Sequence, residues 1–202
     1  VLTNPENTVV KKRSFGNDSA KVAALSQKVL DGLHEENVYG VIKHFPGHGA
    51  TAGDTHEGYA YTDKSLEELE QQELVPFQNA IENHIAIIMA GHISVPNVTG
   101  DNTPSSLSKI MITDVLREKM GFDGIVITDA LNMGAISQHY SSAEVSVKVL
   151  EAGGDMLLMP ENFQEAYQGI LEAVQNGTLT EERIDESVRR ILKVKEKLTA
   201  ED

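Results

Sequence analysis

Between Lys43 and His56 the chain reads Lys-His-Phe-Pro-Gly-His-Gly-Ala-Thr-Ala-Gly-Asp-Thr-His, which puts three His, one Lys and one Asp within fourteen residues. Imidazole titrates near neutrality and can give or take a proton there, so such a cluster suits general acid/base chemistry. One His alone would read as an exposed loop side chain. Several of them among Gly-rich turns, where backbone can approach a ligand closely, read as a site. A second constellation is Gly124-Ile-Val-Ile-Thr-Asp-Ala-Leu-Asn-Met133, in which Asp129 stands where an apolar run ends. A carboxylate there is either the N-cap of the next helix or a catalytic group aimed into a site. The third is Lys11-Lys-Arg-Ser-Phe15, a basic cluster in an acidic chain. It reads either as surface charge at a frayed terminus or as part of a binding surface.

The elements that must position these residues alternate between helix and strand. Val22, Leu25, Val29 and Leu33 recur at helical spacing and predict a helix over 19–36. Apolar runs predict strands at Val38–Ile42, Ile85–Met89, Gly124–Thr128 and Met156–Met159, with Thr8–Val10 as a possible fifth. Ser65-Leu-Glu-Glu68 fits a capping box for a helix running to about Asn83, broken or kinked near Pro76. A long loop carrying Pro96 and Pro104 follows the second strand, and Ser108 is the expected N-cap of a helix to Lys119. Further helices are expected over 142–151, closed by Gly153-Gly154, over 162–175, and over 180–198. Short, continuously apolar strands each followed by a helix mark a parallel sheet buried on both faces. In such folds functional residues gather on the loops after the strands' C-terminal ends. The loops beginning at Lys43, Gly91 and Asp129 hold most of the chemical residues here.

Composition narrows the function classes. The net charge of −14 over 202 residues argues against nucleic acid as a partner, because phosphate binding needs clustered Lys and Arg. Acidic residues such as Glu67, Glu68, Glu70 and Glu73 read as a solvated helix face. There is no Cys, which excludes disulfides and thiolate metal sites and is neutral about compartment. No apolar run approaches the ~20 residues of a membrane span. The first residues have neither the basic nor the apolar region of a signal peptide.

Lys-His-Phe-Pro-Gly-His-Gly, then Asp-Thr-His, then Ile-Thr-Asp-Ala-Leu-Asn-Met after a strand together resemble the family 3 glycoside hydrolases. Within that family the Asp-x-His element resembles the β-N-acetylglucosaminidase branch, NagZ-like enzymes that trim peptidoglycan fragments. The likeness runs from Asn4-Pro5 through the last helix. It implies a (β/α)8 TIM-barrel fold, with residues 1–202 forming one partial catalytic domain, the C-terminal four or five βα units plus closing helices. It implies Asp129 as the nucleophile of a retaining mechanism, His56 as general acid/base and Asp54 as the residue that orients it. Arg13, Lys43 and His44 would bind the hydroxyls of N-acetylglucosamine. His48, His92 and Met133 fall on motif positions and are possible site residues. No cofactor and no metal are implied, and the partner is a small carbohydrate, an N-acetylglucosaminide or muropeptide.

A His donor fits this chemistry, since it avoids a second anion beside the nucleophile and works near neutrality without deep burial. The family's barrel has about 250 residues or more, with elements before the position of Asn4. The resemblance therefore implies pairing with an N-terminal barrel half or self-association. Rival readings are phosphorolysis, with phosphate as acceptor, an inactive sugar-binding fragment, and a metal-dependent hydrolase. For the last, His44, His48, Asp54 and His56 are acceptable Zn²⁺ ligands, although Pro46 and Gly47 disfavour the helix that would align the first two.

Overall fold

Helices begin where a side chain can satisfy their free N–H groups. In the computed structural model, which describes residues 1–51 and 60–199, the Asp18 carboxylate accepts from Lys21 N–H at the start of α1 (Ser19–Glu35). The predicted capping box opens α2 (Leu66–Gln71), with Ser65 and Glu68 bonding each other's backbone. A second box, Ser141 with Glu144, opens α6 (Ser142–Ala152). The expected break near Pro76 is a short turn, after which α3 (Val75–Glu82) carries that Pro in its first turn, where its missing N–H costs nothing. The long loop holds a short α4 (Pro96–Thr99). Ile110–Lys119 is a π-helix, with the Ser108 hydroxyl accepting from Met111 N–H near its start. Then come α5 (Gly134–Ser137), α7 (Phe163–Gln175) and α8 (Glu181–Thr199).

The strands are β1 (Val41–Phe45), β2 (Ala60–Tyr61), β3 (Ile87–Ala90), β4 (Ile93–Ser94), β5 (Ile125–Ala130) and β6 (Met156–Leu158). Four of them form one parallel sheet in the order β1-β3-β5-β6, and β2 pairs with β4. Thr8–Val10 is a turn and not a strand, because the Asn7 side-chain oxygen accepts from the Val9 and Val10 N–H groups. The first two main strands begin later than expected. Val38 N–H returns to Leu33 O after Asn37 turns left-handed at φ 56°. Ile85 N–H likewise returns to Ala80 O after His84 at φ 62°. Both apolar residues close a helix before the strand starts.

Ile42, Ile88 and Val126 from the sheet pack with Leu74 just before α3, Phe77 of α3, and Met111, Ile112 and Leu116 of the π-helix. A second cluster, Leu131, Ile136, Val145 and Val149, lies under α5 and α6. The sheet is open at both ends: among the described residues β1 and β6 each pair on one side. Along α7, Phe163, Tyr167 and Leu171 present an apolar stripe to solvent. This is the architecture of part of a (β/α)8 barrel. Among the described residues, no helix is long and apolar enough to cross a membrane.

Candidate active site

The site residues stand where two strands depart from regular pairing. In β1, Ile42 pairs with Ile88 and Phe45 with Ala90, so one extra residue is inserted around Lys43 and His44. In β5, Ile127 pairs with Met156 and Ala130 with Leu158, so the same happens around Thr128 and Asp129. A bulge bends a strand and re-aims its side chains. Here both bulges lie at the C-terminal end of the sheet, and their side chains meet: His44 Nε2 is 3.6 Å from Asp129 Oδ2. The Lys43–His44 and Phe45–Pro46 peptide bonds are cis.

Asp129 is not an N-cap. It lies within β5, and α5 starts five residues later at Gly134, with Met133 as its N-cap. Its Oδ1 accepts from Ala130 N–H at 2.9 Å, which leaves Oδ2 facing His44, and the carboxylate is 22% exposed. One oxygen is thus held and the other stays within reach of a bound molecule.

The His44 ring packs edge-on to His48 with centroids 5.7 Å apart. Burial lowers the His44 pKa to about 4, against the opposing pull of Asp129 and with help from Lys43, His48 and Arg13. Burial also lowers His48 and His92. The ring of His44 is therefore neutral at pH 7, and its approach to Asp129 is not an ion pair there. In the unfolded chain His44 would titrate near 6.5. Between pH 6.5 and 4 the unfolded state binds the extra proton, so stability falls as pH falls through that window, by about 3 kcal/mol at most from this group. Thermal unfolding at pH 7 and pH 4.5 should show a smaller acid loss in His44→Gln than in the wild type. An unchanged difference would mean that the ring is not buried neutral.

A layer of buried polar groups carries the His48 turn. Asn7, 3% exposed, donates through Nδ2 to His48 O at 2.8 Å and to Thr51 Oγ1 at 3.0 Å. Thr51 Oγ1 lies 3.1 Å from His48 Nδ1. This anchors the N-terminal segment against the site, so the basic cluster is not frayed. Arg13 is exposed and lines a cleft of about 290 Å³ with Lys43, His44 and His48. On the other side of the turn is Glu73, which sequence reasoning placed on a solvated face. It is 1% exposed and accepts from Lys64 Nζ at 2.7 Å and Thr3 Oγ1 at 2.5 Å. It follows the end of α2, where the chain turns inward, and its side chain lies under Gly47, where an added Cβ would come within 2.7 Å of it.

The structure thus brings Arg13, Lys43, His44, His48 and Asp129 together, with His92 buried behind Asp129. Met133 is 43% exposed just beyond the end of β5. Asp54 and His56 lie outside the described residues. Asn7 and Thr51 were not singled out as site residues, and Glu73 was assigned to the wrong face. Single polar residues in ordinary loops carry no spacing signal, and their role comes from partners far away in sequence.

The model of the glycosyl hydrolase family 3 N-terminal domain matches residues 1–194. The chain belongs to this family. Relatives of the chain include beta-hexosaminidase A of Pseudoalteromonas piscicida, 31% identical over 98% of this chain and 36% of its own length. Beta-hexosaminidase LpqI of Mycobacterium tuberculosis is 36% identical over 96% of this chain and 52% of its own length. Among solved structures, a family 3 beta-N-acetylglucosaminidase from Paenibacillus sp. str. FPU-7 superposes with a TM-score of 0.95 at 36% identity, covering 100% of this chain and 39% of that one. The chain therefore spans between about a third and a half of the length of the curated relatives named here.

Proposed function

We propose that this chain carries the catalytic residues of a retaining glycosidase that removes terminal β-linked N-acetylglucosamine from small glycosides such as peptidoglycan fragments. The observation that carries the reading is the Asp129 carboxylate, held by one oxygen at the C-terminal end of β5 and facing His44 with the other. In this reading Asp129 attacks the anomeric carbon while the glycosidic C–O bond breaks and His56, oriented by Asp54, gives its proton to the leaving oxygen. His56 then takes a proton from water, which attacks the same carbon and frees Asp129. Arg13, Lys43 and His44 hold the sugar hydroxyls. The names of the relatives, two beta-hexosaminidases and a family 3 beta-N-acetylglucosaminidase, support the choice of sugar. The open edges of β1 and β6 and the exposed stripe on α7 would be covered by the rest of a barrel, or by a second copy.

The test is 4-nitrophenyl β-N-acetylglucosaminide cleavage followed by NMR of the first sugar formed, with EDTA and with phosphate as separate arms. Double displacement predicts EDTA-resistant release with the β anomer appearing first. An α anomer first, or loss of release in EDTA, would overturn the mechanism. A sugar 1-phosphate that grows with added phosphate would move the assignment to phosphorolysis. Sugar binding without release would leave a binding fragment.

A further inference from the structure

We propose that His92 is a positioning residue that fixes the Asp129 carboxylate by clamping the residue after it. The inference rests on the nucleophile reading of Asp129 and goes beyond it. His92 is 6% exposed and both ring nitrogens are engaged. Nε2 lies 3.0 Å from Ala130 O and Nδ1 lies 2.8 Å from Ser106 Oγ. A carbonyl oxygen can only accept, so Nε2 carries the proton and Nδ1 accepts from the Ser106 hydroxyl. Ser106 is itself buried, and its N–H donates to Gly91 O, which ties the hydroxyl to the strand end that carries His92.

The same Ala130 gives its N–H to Asp129 Oδ1. Its N–H therefore holds the carboxylate, and its carbonyl is held by His92. This matters because the β5–β6 ladder loses register between Ile127 and Ala130 and the β3–β5 register ends with Ala90 opposite Thr128, so Asp129 lies in the bulge on one side and past the last paired residue on the other. Thr128 Oγ1 accepts from Leu158 N–H on the near side of the bulge, and Leu131 N–H donates to Leu158 O on the far side. Past Thr128, His92, in the link between β3 and β4, adds a side-chain bond to the Ala130 carbonyl. A swing of the peptide at Ala130 would carry Asp129 away from the point it shares with His44. A misplacement of about 1 Å at a reacting group costs about 100-fold in rate.

The experiment compares His92→Phe, His92→Gln and Ser106→Ala with the wild type on 4-nitrophenyl β-N-acetylglucosaminide, alongside thermal midpoints and the ¹³C resonance of the Asp129 carboxyl. His92→Phe removes the donor and should lower kcat about 100-fold with KM within about twofold. His92→Gln keeps an N–H where Nε2 was and should recover about tenfold of that loss. Ser106→Ala frees the ring to turn and should cost about threefold in kcat alone. The Asp129 resonance should move in His92→Phe and return toward the wild-type position in His92→Gln. The proposal falls if the Phe and Gln variants behave alike, if KM changes in step with kcat, or if the Asp129 resonance is the same in all. Should His92→Phe fail to fold, the Gln and Ser106 variants decide by the same split. If the wild type shows no turnover the glycosidase reading fails, while the carboxyl resonance still decides whether His92 positions Asp129.

Discussion

Asp129→Ala is expected to lower kcat on 4-nitrophenyl β-N-acetylglucosaminide by about 10⁴-fold or more, with little change in thermal midpoint. The variant removes the group that would form the glycosyl–enzyme bond, and a loss of that size corresponds to about 5 kcal/mol of transition-state stabilisation. The fold should tolerate it. The carboxylate is 22% exposed and makes one short backbone bond to Ala130 N–H, so truncation leaves that N–H near solvent rather than deep in the core. The small cavity also gives a positive test. Azide can occupy the space of the lost carboxylate and attack the anomeric carbon from that face, expelling nitrophenolate. The product would be the α-glycosyl azide, inverted relative to the β substrate, because one displacement replaces two. Asp129→Asn should be as slow without azide, since an amide is a poor nucleophile, yet should gain less from azide because the space stays filled. Release at near wild-type rate in either variant would remove Asp129 from the nucleophile's role. A KM effect alone would make it a binding group.

The two capping boxes are local signals, Ser-x-x-Glu before an apolar pattern. Ser65–Glu68 was legible, and Ser141–Glu144 has the same form. That the sheet is parallel followed from four apolar runs alternating with helices; its strand order did not. The strand starts were misplaced because Val38 and Ile85 are apolar for a different reason, closing the ends of α1 and α3. The residues lost from the front of the first strand were regained at its end, where Lys43 and His44 proved to be strand residues in a bulge and not loop. Polarity hid them. Glu73 was misread for the opposite reason: it shares a helical stretch with exposed Glu67 and Glu68, but the chain bends after Gln71 and turns it inward. Proximity of His44 to Asp129, 85 positions apart along the chain, is a property of the sheet order β1-β3-β5. Motif resemblance could name both residues but could not supply the contact.

Asp155→Ala should be among the most destabilising single changes in the chain, on the order of 3–5 kcal/mol, because it strips a buried anion from beneath several guanidinium groups. Asp155 sits just before β6 with its side chain fully buried. Its Oδ2 accepts from Arg117 Nη2 at 2.6 Å and Val126 N–H at 2.9 Å. Its Oδ1 accepts from Ser187 Oγ at 2.7 Å and Arg190 Nη1 at 3.2 Å, with Arg183 Nη2 at 3.8 Å. One carboxylate thus joins the π-helix, β5 and α8, and it neutralises cations that also cap the carbonyl end of α6. Arg117 Nε donates to Gly153 O at 3.0 Å, and Arg183 Nε donates to Leu150 O at 2.9 Å. Without Asp155 those guanidiniums would repel one another across a space that water reaches poorly, and Val126 N–H would be left unpaired. For a chain of this size the loss corresponds to about 10 °C in thermal midpoint. Asp155→Asn keeps the shape and one acceptor, so it should fall between the wild type and Ala. Urea unfolding of the three proteins checks the order. A loss below about 1 kcal/mol in Asp155→Ala would mean the cluster behaves as a surface ion pair. The contrast with Asp129 is the expected division of such a sheet. Asp129, at the C-terminal ends of the strands, should cost rate and spare stability. Asp155, at the N-terminal ends, should cost stability while the surviving folded fraction keeps its catalytic constants.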